Sequence, residues 1–301
     1  MAKSAAFPPP VSHFCAATVV VVGASRGLGR QYARDLGRLG ANVVLTGQSE
    51  DIHAAAAAIR NDGGQAIAVQ CDSRDAQPFV NAALAEFGGI DGLIVNAGIV
   101  RDRSFAKMEL AEWNEVIDIH LGGSFACAKA VWGHMAAQRK GAIVFTTSSA
   151  GLHGAFGQAN YAAAKAGIIG LAKTLAIEGA RLGIRVNAVA PMALTAMTAD
   201  LFPERLQQGL PPEAVSPFVL SLLDDRSTLT GAVVECGGGW GALLRWQRAQ
   251  GLVIDPLCDL IDISQMQASM ANFDIAFDLP ASTSDSLGAA MHQPRSFTTL
   301  G

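Results

Sequence analysis

The sequence predicts an α/β fold: a doubly wound parallel sheet of about seven strands, in a single domain with a C-terminal extension. Short β-branched runs alternate with alanine-rich helical stretches, the pattern of a parallel sheet covered by helices on both faces. The chain has 301 residues and 50% are hydrophobic, which is enough to bury one large core. We expect a flexible leader at 1–14, the main domain at 15–240 and the extension at 241–301.

The elements follow from the periodicity of the apolar residues. Helical patterns occupy 30–39 and 51–59, and the second is expected to have Asp51 as its N-cap. Beyond Trp240 the alternation stops, so that segment is compatible either with a short amphipathic element or with a partly ordered tail. Strands are predicted at 18–22, 42–46, 66–70, 92–95, 142–147, 184–189 and 232–235.

Charge and cysteine content argue against several classes of protein. A net charge of -4 is too small to imply a nucleic-acid partner, and no run of 18 apolar residues suggests a membrane span. The five cysteines form no Cys-x-x-Cys pair and the six histidines have no zinc-ligand spacing, so we expect free thiols and no metal site. No signal-like apolar stretch precedes the first strand, and we expect a cytoplasmic protein.

A glycine-rich turn joins the first predicted strand to the first helix. Its glycines allow positive φ angles and bring backbone amides against a pyrophosphate at a helix N-terminus. Such a turn alone is weak evidence of a binding site, but its place in a βαβ unit predicts a dinucleotide site of Rossmann type. The predicted cofactor contacts in this turn are Gly23, Ser25, Arg26, Gly27, Leu28 and Gly29.

The end of the second strand indicates which dinucleotide binds. NAD-binding proteins place a carboxylate there, on the ribose 2'-hydroxyl, whereas this chain has Gly47-Gln48. Arg26 projects from the glycine turn and can pair with a 2'-phosphate. We therefore favour NADP(H) over NAD(H). NAD(H) stays possible, with Glu50 serving the ribose and Arg26 merely solvated.

Tyr161 and Lys165 lie four residues apart in a helical stretch that follows Ser148. Positions four apart share a helix face, so the Lys165 charge is expected to lower the pKa of Tyr161 from its ordinary value of about 10. A tyrosine with a lowered pKa can act as a general acid or base, while Ser148 hydrogen-bonds the reacting oxygen. A solvated lysine beside a half-buried tyrosine would give the same spacing, so the pair is weak evidence when taken alone.

In this order, the glycine turn, Asn96-Ala97-Gly98, Ser148 and the Tyr161–Lys165 pair resemble the classical short-chain dehydrogenase/reductase family over about residues 15–240. The resemblance implies hydride transfer between a nicotinamide cofactor and a secondary alcohol or ketone. It makes Tyr161 the acid–base, Ser148 the residue that orients the substrate oxygen, and Lys165 the residue that binds the nicotinamide ribose. It implies a homodimer or homotetramer. It also assigns cofactor contacts to Asp72, Ser73, Asn96, Ala97, Gly98, Tyr161, Lys165, Pro191 and Thr195.

Within the family, four segments are similar to the (3R)-hydroxyacyl-CoA dehydrogenase unit of peroxisomal multifunctional enzyme type 2. This narrower resemblance implies a 3-hydroxyacyl-CoA-like or similarly lipophilic substrate. Most family members have an asparagine where His120 stands, so His120 is a catalytic candidate, with a helix-kink role as the alternative. Arg101 and Arg103 either meet CoA phosphates or form surface ion pairs. The segments are 96–105, 120–125, 157–161 and 176–179.

Two other functions stay open at this point. A 3-oxoacyl-carrier-protein reductase or a steroid or sugar alcohol dehydrogenase would share the core motifs of the family. A non-catalytic dinucleotide-binding sensor or scaffold would share the fold without the chemistry, although the presence of Ser148, Tyr161 and Lys165 argues against it.

Overall fold

The computed structural model describes residues 14–195 and 209–249, together with 267, 270, 271, 277 and 278. Residues 1–13 of the predicted leader and most of the predicted extension lie outside this set. The chain divides into two compact units, residues 1–243 and residues 244–301. The predicted division at residue 240 stays a prediction.

The first unit is built on one eight-stranded sheet, which confirms the predicted doubly wound α/β fold. The strand order is β3-β2-β1-β4-β5-β6-β7-β8, and β1 to β7 pair in parallel. The order reverses between β1 and β4, the place where ligands bind in doubly wound sheets. The strands are β1 (Thr18–Val22), β2 (Asn42–Gly47), β3 (Gln65–Gln70), β4 (Gly92–Val95), β5 (Gly141–Thr146), β6 (Ile184–Met192), β7 (Val233–Gly237) and β8 (Trp240–Leu244).

All seven predicted strands are present, and β8 is an eighth that the sequence analysis did not predict. Only Gly238 and Gly239 separate it from β7, and both have positive φ angles (57° and 81°). A two-residue turn of this kind joins antiparallel neighbours, so β8 folds back beside β7 as a hairpin.

Helices cover both faces of the sheet. On one face α1, α2 and α8 bury apolar side chains against β1, β2, β4 and β5 in a single core cluster. On the other, α3 packs on β2 and β1, α5 on β5 and β4, and α7 on β6 and β5. The helices are α1 (Gly27–Arg38), α2 (Asp51–Asn61), α3 (Gln77–Phe87), α4 (Leu110–Ile117), α5 (Gly123–Gln138), α6 (Ser149–His153), α7 (Ala159–Gly179) and α8 (Ser216–Leu223).

Two local features differ from the sequence prediction. The N-cap of α2 is Glu50 rather than Asp51, because the helix already begins at Asp51, whose backbone N–H donates to Ser49 Oγ at 3.3 Å. A π-helical turn, Asp118–Gly122, joins α4 directly to α5. Such turns occur frequently at functional sites.

The described part of the second unit is small. It contains β9 (Arg248–Ala249), which pairs in antiparallel fashion with β10 (Phe277–Asp278). No helix within the described ranges is long and apolar enough to cross a membrane.

Candidate active site

The glycine turn leaves bare backbone at the N-terminus of α1. Gly23 has a φ of 80°, and a Cβ there would lie 2.6 Å from Ala97 Cα. A Cβ on Gly29 would strike Gly23 O, so neither position tolerates a side chain. The first turn of α1 carries no acidic residue, and Arg26 at its N-cap makes no side-chain capping bond. The free amides and the positive end of the helix dipole therefore suit a pyrophosphate.

Asn96 ties the end of β4 to this turn. Its backbone N–H donates to Val22 O at 3.0 Å, and its side-chain Nδ2 donates to Gly23 O at 3.4 Å. Its Oδ1 accepts from Thr146 Oγ1 at 3.3 Å. One residue thus fixes β1, β4 and β5 relative to each other, and the neighbouring Ala97 packs against Gly23.

The end of β3 lies beside the end of β2, where the adenosine of a dinucleotide binds in this fold. The Asp72 carboxylate accepts from Gln48 Nε2 at 2.7 Å and pairs with the Arg74 guanidinium at 2.6 Å. The Arg74 hydrogen bond lowers the pKa of Asp72, so this carboxylate is ionised. Ser73 is buried, and its Oγ lies 2.7 Å from where a Cβ on Gly123 would be.

Ser148, Tyr161 and Lys165 are brought together. Ser148 follows β5 and is the N-cap of α6, where its Oγ accepts from Ala150 N at 3.2 Å. Tyr161 and Lys165 lie on α7, with Lys165 Nζ 5.5 Å from the Tyr161 ring centroid. Ser148 lies close enough to Tyr161 to lower the pKa of its hydroxyl. Lys165 is only 3% exposed, and its Nζ donates to Thr146 O at 2.6 Å.

The predicted lowering of the Tyr161 pKa is wrong for the ligand-free protein. Burial raises the pKa of Tyr161, and the Asp102 carboxylate raises it further, whereas the hydrogen bond from Ser148 lowers it. Burial also lowers the pKa of Lys165 to about 7. The spacing shows that the two residues share a helix face, but it does not show that both side chains are desolvated. In the interior, desolvation outweighs the pairwise attraction.

His120 is a buried neutral imidazole at the centre of the π-helical turn. It is 2% exposed, and burial, followed by the Lys165 charge, lowers its pKa to about 3. Its Nε2 lies 2.7 Å from Ile99 O and 3.0 Å from Ile99 N, and its Nδ1 has no hydrogen-bond partner in the described part of the chain. Its ring meets the Tyr161 ring edge-on, with 5.1 Å between centroids. A Cβ on Gly98 would strike the His120 ring.

The remaining predicted residues divide into two groups. Thr195 lies beside the glycine turn, since its Cγ2 would be 3.5 Å from a Cβ on Gly27, and Pro191 lies in β6 opposite Cys236 of β7. Arg101 and Arg103 instead form ion pairs with α4. Arg101 pairs with Glu115 at 2.8 Å and Arg103 pairs with Glu112 at 2.8 Å.

Sequence reasoning missed three polar residues next to the site: Asp102, Gln158 and Asn160. Gln158 Nε2 donates to Asp102 Oδ2 at 2.8 Å, and Asn160 Oδ1 accepts from Tyr161 N at 2.7 Å. The available signal was two amide side chains immediately before a candidate catalytic tyrosine. Among the residues described, no cluster of three or more His, Cys, Asp or Glu side chains could hold a metal ion.

Comparisons with known proteins agree with this geometry. A family model described as short chain dehydrogenase matches residues 17–206. Peroxisomal multifunctional enzyme type 2 of Mus musculus is 41% identical over 246 residues, 78% of this chain and 34% of that protein. A 3-oxoacyl-[acyl-carrier-protein] reductase of Synechocystis sp. is 41% identical over 238 residues, 74% of this chain and 96% of that protein.

A solved structure is also similar. Full-length peroxisomal multifunctional enzyme type 2 from Drosophila melanogaster matches with a TM-score of 0.81 at 32% identity, over 93% of this chain and 49% of that one. The chain spans only 31% of the peroxisomal hydratase-dehydrogenase-epimerase of Neurospora crassa and 34% of the Mus musculus enzyme.

Proposed function

This chain belongs to the short-chain dehydrogenase family, and we propose that it transfers a hydride between a nicotinamide cofactor and the 3-position of a 3-hydroxyacyl-CoA-like thioester. The predicted resemblance to multifunctional enzyme type 2 is confirmed, and it supports the thioester. The observation that carries the chemistry is the convergence of Ser148, Tyr161 and Lys165. Hydrogen bonds through Thr146 and Asn96 connect this group to Gly23 of the glycine turn.

The proposed mechanism assigns one task to each side chain. When bound, the nicotinamide supplies or accepts the hydride. In reduction the Tyr161 hydroxyl donates its proton to the carbonyl oxygen, while Ser148 Oγ donates a hydrogen bond to the same oxygen. In oxidation the hydride and the proton move in the opposite direction. Lys165, charged below a pH of about 7 in the ligand-free protein, stabilises the phenolate formed at Tyr161. With a pKa of about 3, His120 is uncharged at neutral pH and acts as a neutral neighbour of Tyr161.

Replacing Tyr161 by phenylalanine tests the assignment. We expect turnover to fall by roughly 10²- to 10⁴-fold, the usual contribution of a general acid or base, with cofactor affinity unchanged. Fluorescence titration of NADPH and a thioester assay measure the two quantities. A Tyr161→Phe enzyme with near-normal turnover would mean that another group transfers the proton.

A carrier-protein thioester is the second candidate substrate, because the Synechocystis reductase matches this chain over 96% of its own length. Both candidates share the 3-oxoacyl group and differ in the carrier. Comparing kcat/KM for the same acyl group on CoA and on acyl carrier protein separates them. A steroid and sugar alcohol panel tests the other members of the class. Cofactor binding without turnover on any of these would favour a sensor or scaffold.

We infer that the cofactor is NADP(H). A Cβ on Gly47 would lie 2.7 Å from Ser25 Oγ, so the local packing fits a residue without a carboxylate at this position. Gln48 is bound to Asp72, which already pairs with Arg74. Arg26 is exposed in the turn and forms no ion pair with any described carboxylate, which leaves its guanidinium free for a 2'-phosphate.

Replacing Arg26 by alanine should weaken NADPH binding by about 10- to 100-fold, the worth of a charge-assisted hydrogen bond, and leave NADH binding unchanged. Arg30→Ala is the matched control, since Arg30 is exposed on the next turn of α1 and carries the same charge. Equal losses for both cofactors, or tighter binding of NADH by the wild type, would count against NADP(H).

We propose that the protein forms a homodimer through α7 and α5. The outward face of α7 carries the exposed small residues Ala163, Ala166 and Gly170, and a Cβ on Gly170 would meet nothing within 4 Å. Phe125 on α5 is 57% exposed. Small residues let a second helix approach closely, and light scattering of wild type and Gly170→Glu tests the surface.

We also propose a cytoplasmic location, supported by free cysteines that include the exposed Cys15.

A further inference from the structure

The loop that follows β4, residues 99–103, is fastened to the start of the helix that carries Tyr161. Three residues at the beginning of α7 or just before it bind three successive residues of the loop, in opposite chain order. Of the groups contributed by residues 157–160, one is a backbone carbonyl and two are side-chain amides. The bonds are Arg103 N to Gly157 O (2.7 Å), Gln158 Nε2 to Asp102 Oδ2 (2.8 Å) and Asn160 Nδ2 to Arg101 O (3.2 Å).

Asn160 is the most constrained residue of this connection. It is 0% exposed, and both ends of its amide are satisfied. Its Nδ2 donates to Arg101 O and to Glu112 O at 3.3 Å, and its Oδ1 accepts from Tyr161 N at 2.7 Å. Aspartate would lack the donors and glutamine would be one methylene too long, so asparagine alone serves both roles. A buried amide that makes three bonds holds its neighbours in one arrangement.

The other end of the same loop reaches the opposite side of Tyr161. Ile99 binds His120 Nε2, with distances of 2.7 Å from the carbonyl oxygen and 3.0 Å from the backbone nitrogen. The His120 ring lies edge-on to the Tyr161 ring, 5.1 Å away. The 99–103 loop therefore connects the residue that fixes the Tyr161 backbone to the residue that contacts its ring.

We propose that Asn160 is a positioning residue for proton transfer, which acts through Tyr161 by locking its backbone to the 99–103 loop, with the Gln158–Asp102 bond supporting the same lock. This inference rests on the proposed acid–base role of Tyr161. Asn160 touches neither substrate nor cofactor in this scheme. Its effect is to keep the Tyr161 hydroxyl close to Ser148, in position to exchange its proton with the substrate oxygen.

The experiment uses the small number of tyrosines in the chain. The sequence contains only Tyr32 and Tyr161, so a Tyr32→Phe background labelled with ¹³C at tyrosine Cζ gives one NMR signal, from Tyr161. The pH titration of that signal is compared between the Tyr32→Phe protein and the same protein that also carries Asn160→Ala. The values of kcat, KM and the NADPH dissociation constant are measured on both proteins. The charged or titratable groups around Tyr161 are Lys165, His120 and Asp102, and none is changed by Asn160→Ala.

We expect Asn160→Ala to shift the titration of Tyr161 and to lower kcat by roughly 10- to 100-fold, the effect of misplacing a reacting group by about 1 Å, while NADPH binding stays within about twofold. An unchanged Tyr161 titration with an unchanged kcat overturns the inference, even if the melting temperature falls. A shifted titration in a protein without turnover on any thioester would instead count against the proposed function.

Exposed Asp102 provides a second test that does not depend on the folding of Asn160→Ala. At the pH plateau, Asp102→Ala should lower kcat because Gln158 Nε2 loses its acceptor, and Asp102→Asn should restore it because an amide oxygen still accepts. Equal kcat values for the two variants overturn the supporting role of this bond. Glu115→Gln is the control, since it removes an exposed ion pair to the same loop and leaves the three bonds to Gly157, Gln158 and Asn160 in place.

Discussion

Replacing Lys165 by methionine should make the ligand-free protein more stable while it removes activity. Lys165 is an ammonium group, 3% exposed, that is held in the interior by one hydrogen bond to Thr146 O. Burial lowers its pKa from 10.5 to about 7. The folded protein therefore bears a cost for keeping this group charged, and methionine fills a similar volume without that cost.

The magnitude follows from the gap between the two pKa values. At about 1.4 kcal/mol for each tenfold change in proton affinity, a fall from 10.5 to about 7 corresponds to at most about 5 kcal/mol. Losing the hydrogen bond to Thr146 O costs about 1–3 kcal/mol. We therefore expect a net stabilisation on the order of 1–3 kcal/mol at pH 7.

The sign of the pH dependence is fixed by the same values. Because the folded-state pKa lies below the unfolded one, the full cost is present below pH 7 and disappears as the pH rises toward 10.5. The wild type should therefore gain stability relative to Lys165→Met between these limits. Urea unfolding of both proteins at several pH values in this window measures the difference.

The control is Lys107→Met, which removes an exposed lysine that precedes α4. It should change stability by less than about 0.5 kcal/mol, with no comparable pH dependence. If Lys165→Met is less stable than the wild type at pH 7, or if the difference between them does not change with pH, the buried-charge reasoning is refuted.

Three further outcomes are expected. Tyr32→Phe should be neutral or stabilising by up to about 1 kcal/mol in urea unfolding, because the buried Tyr32 hydroxyl has no hydrogen-bond partner in the described part of the chain; a clear loss would show that the hydroxyl is bonded in solution. Asp102→Asn should move the acid limb of the oxidation rate profile to lower pH, since the Asp102 charge raises the pKa of Tyr161; an unmoved limb would assign that limb to another group. Gly98→Ala should lower both kcat and the melting temperature, because the new methyl group meets the His120 ring; wild-type values would mean that the ring can move aside.

The sequence was sufficient for the sheet because parallel strands buried on both faces are continuous apolar runs. The β8 hairpin was missed because its signal is only the pair Gly238-Gly239, which reads equally as the end of a domain. The π-helical turn around His120 has no sequence signature, since it depends on packing against Ile99 and Gly98.

The candidate site was predictable as a set of residues but not as an electrostatic environment. The four-residue spacing placed Tyr161 and Lys165 on one face of α7. How far each is desolvated depends on residues distant in sequence, such as Thr146 and Asp102, and this decides the directions of both pKa shifts. Asn160 was overlooked for the same reason, since its partners lie 48 and 59 positions away.

The way the 99–103 loop is fastened bears on how this enzyme could diversify. Main-chain atoms of the loop make four of its contacts with His120, Asn160 and Gly157, and only Asp102 contributes a side chain. The side chains of Arg101 and Arg103 take no part in these bonds and instead pair with Glu115 and Glu112 of α4. Randomised libraries at those two positions should yield a high proportion of active clones, because the bonds of the loop to His120, Asn160 and Gly157 do not use these side chains.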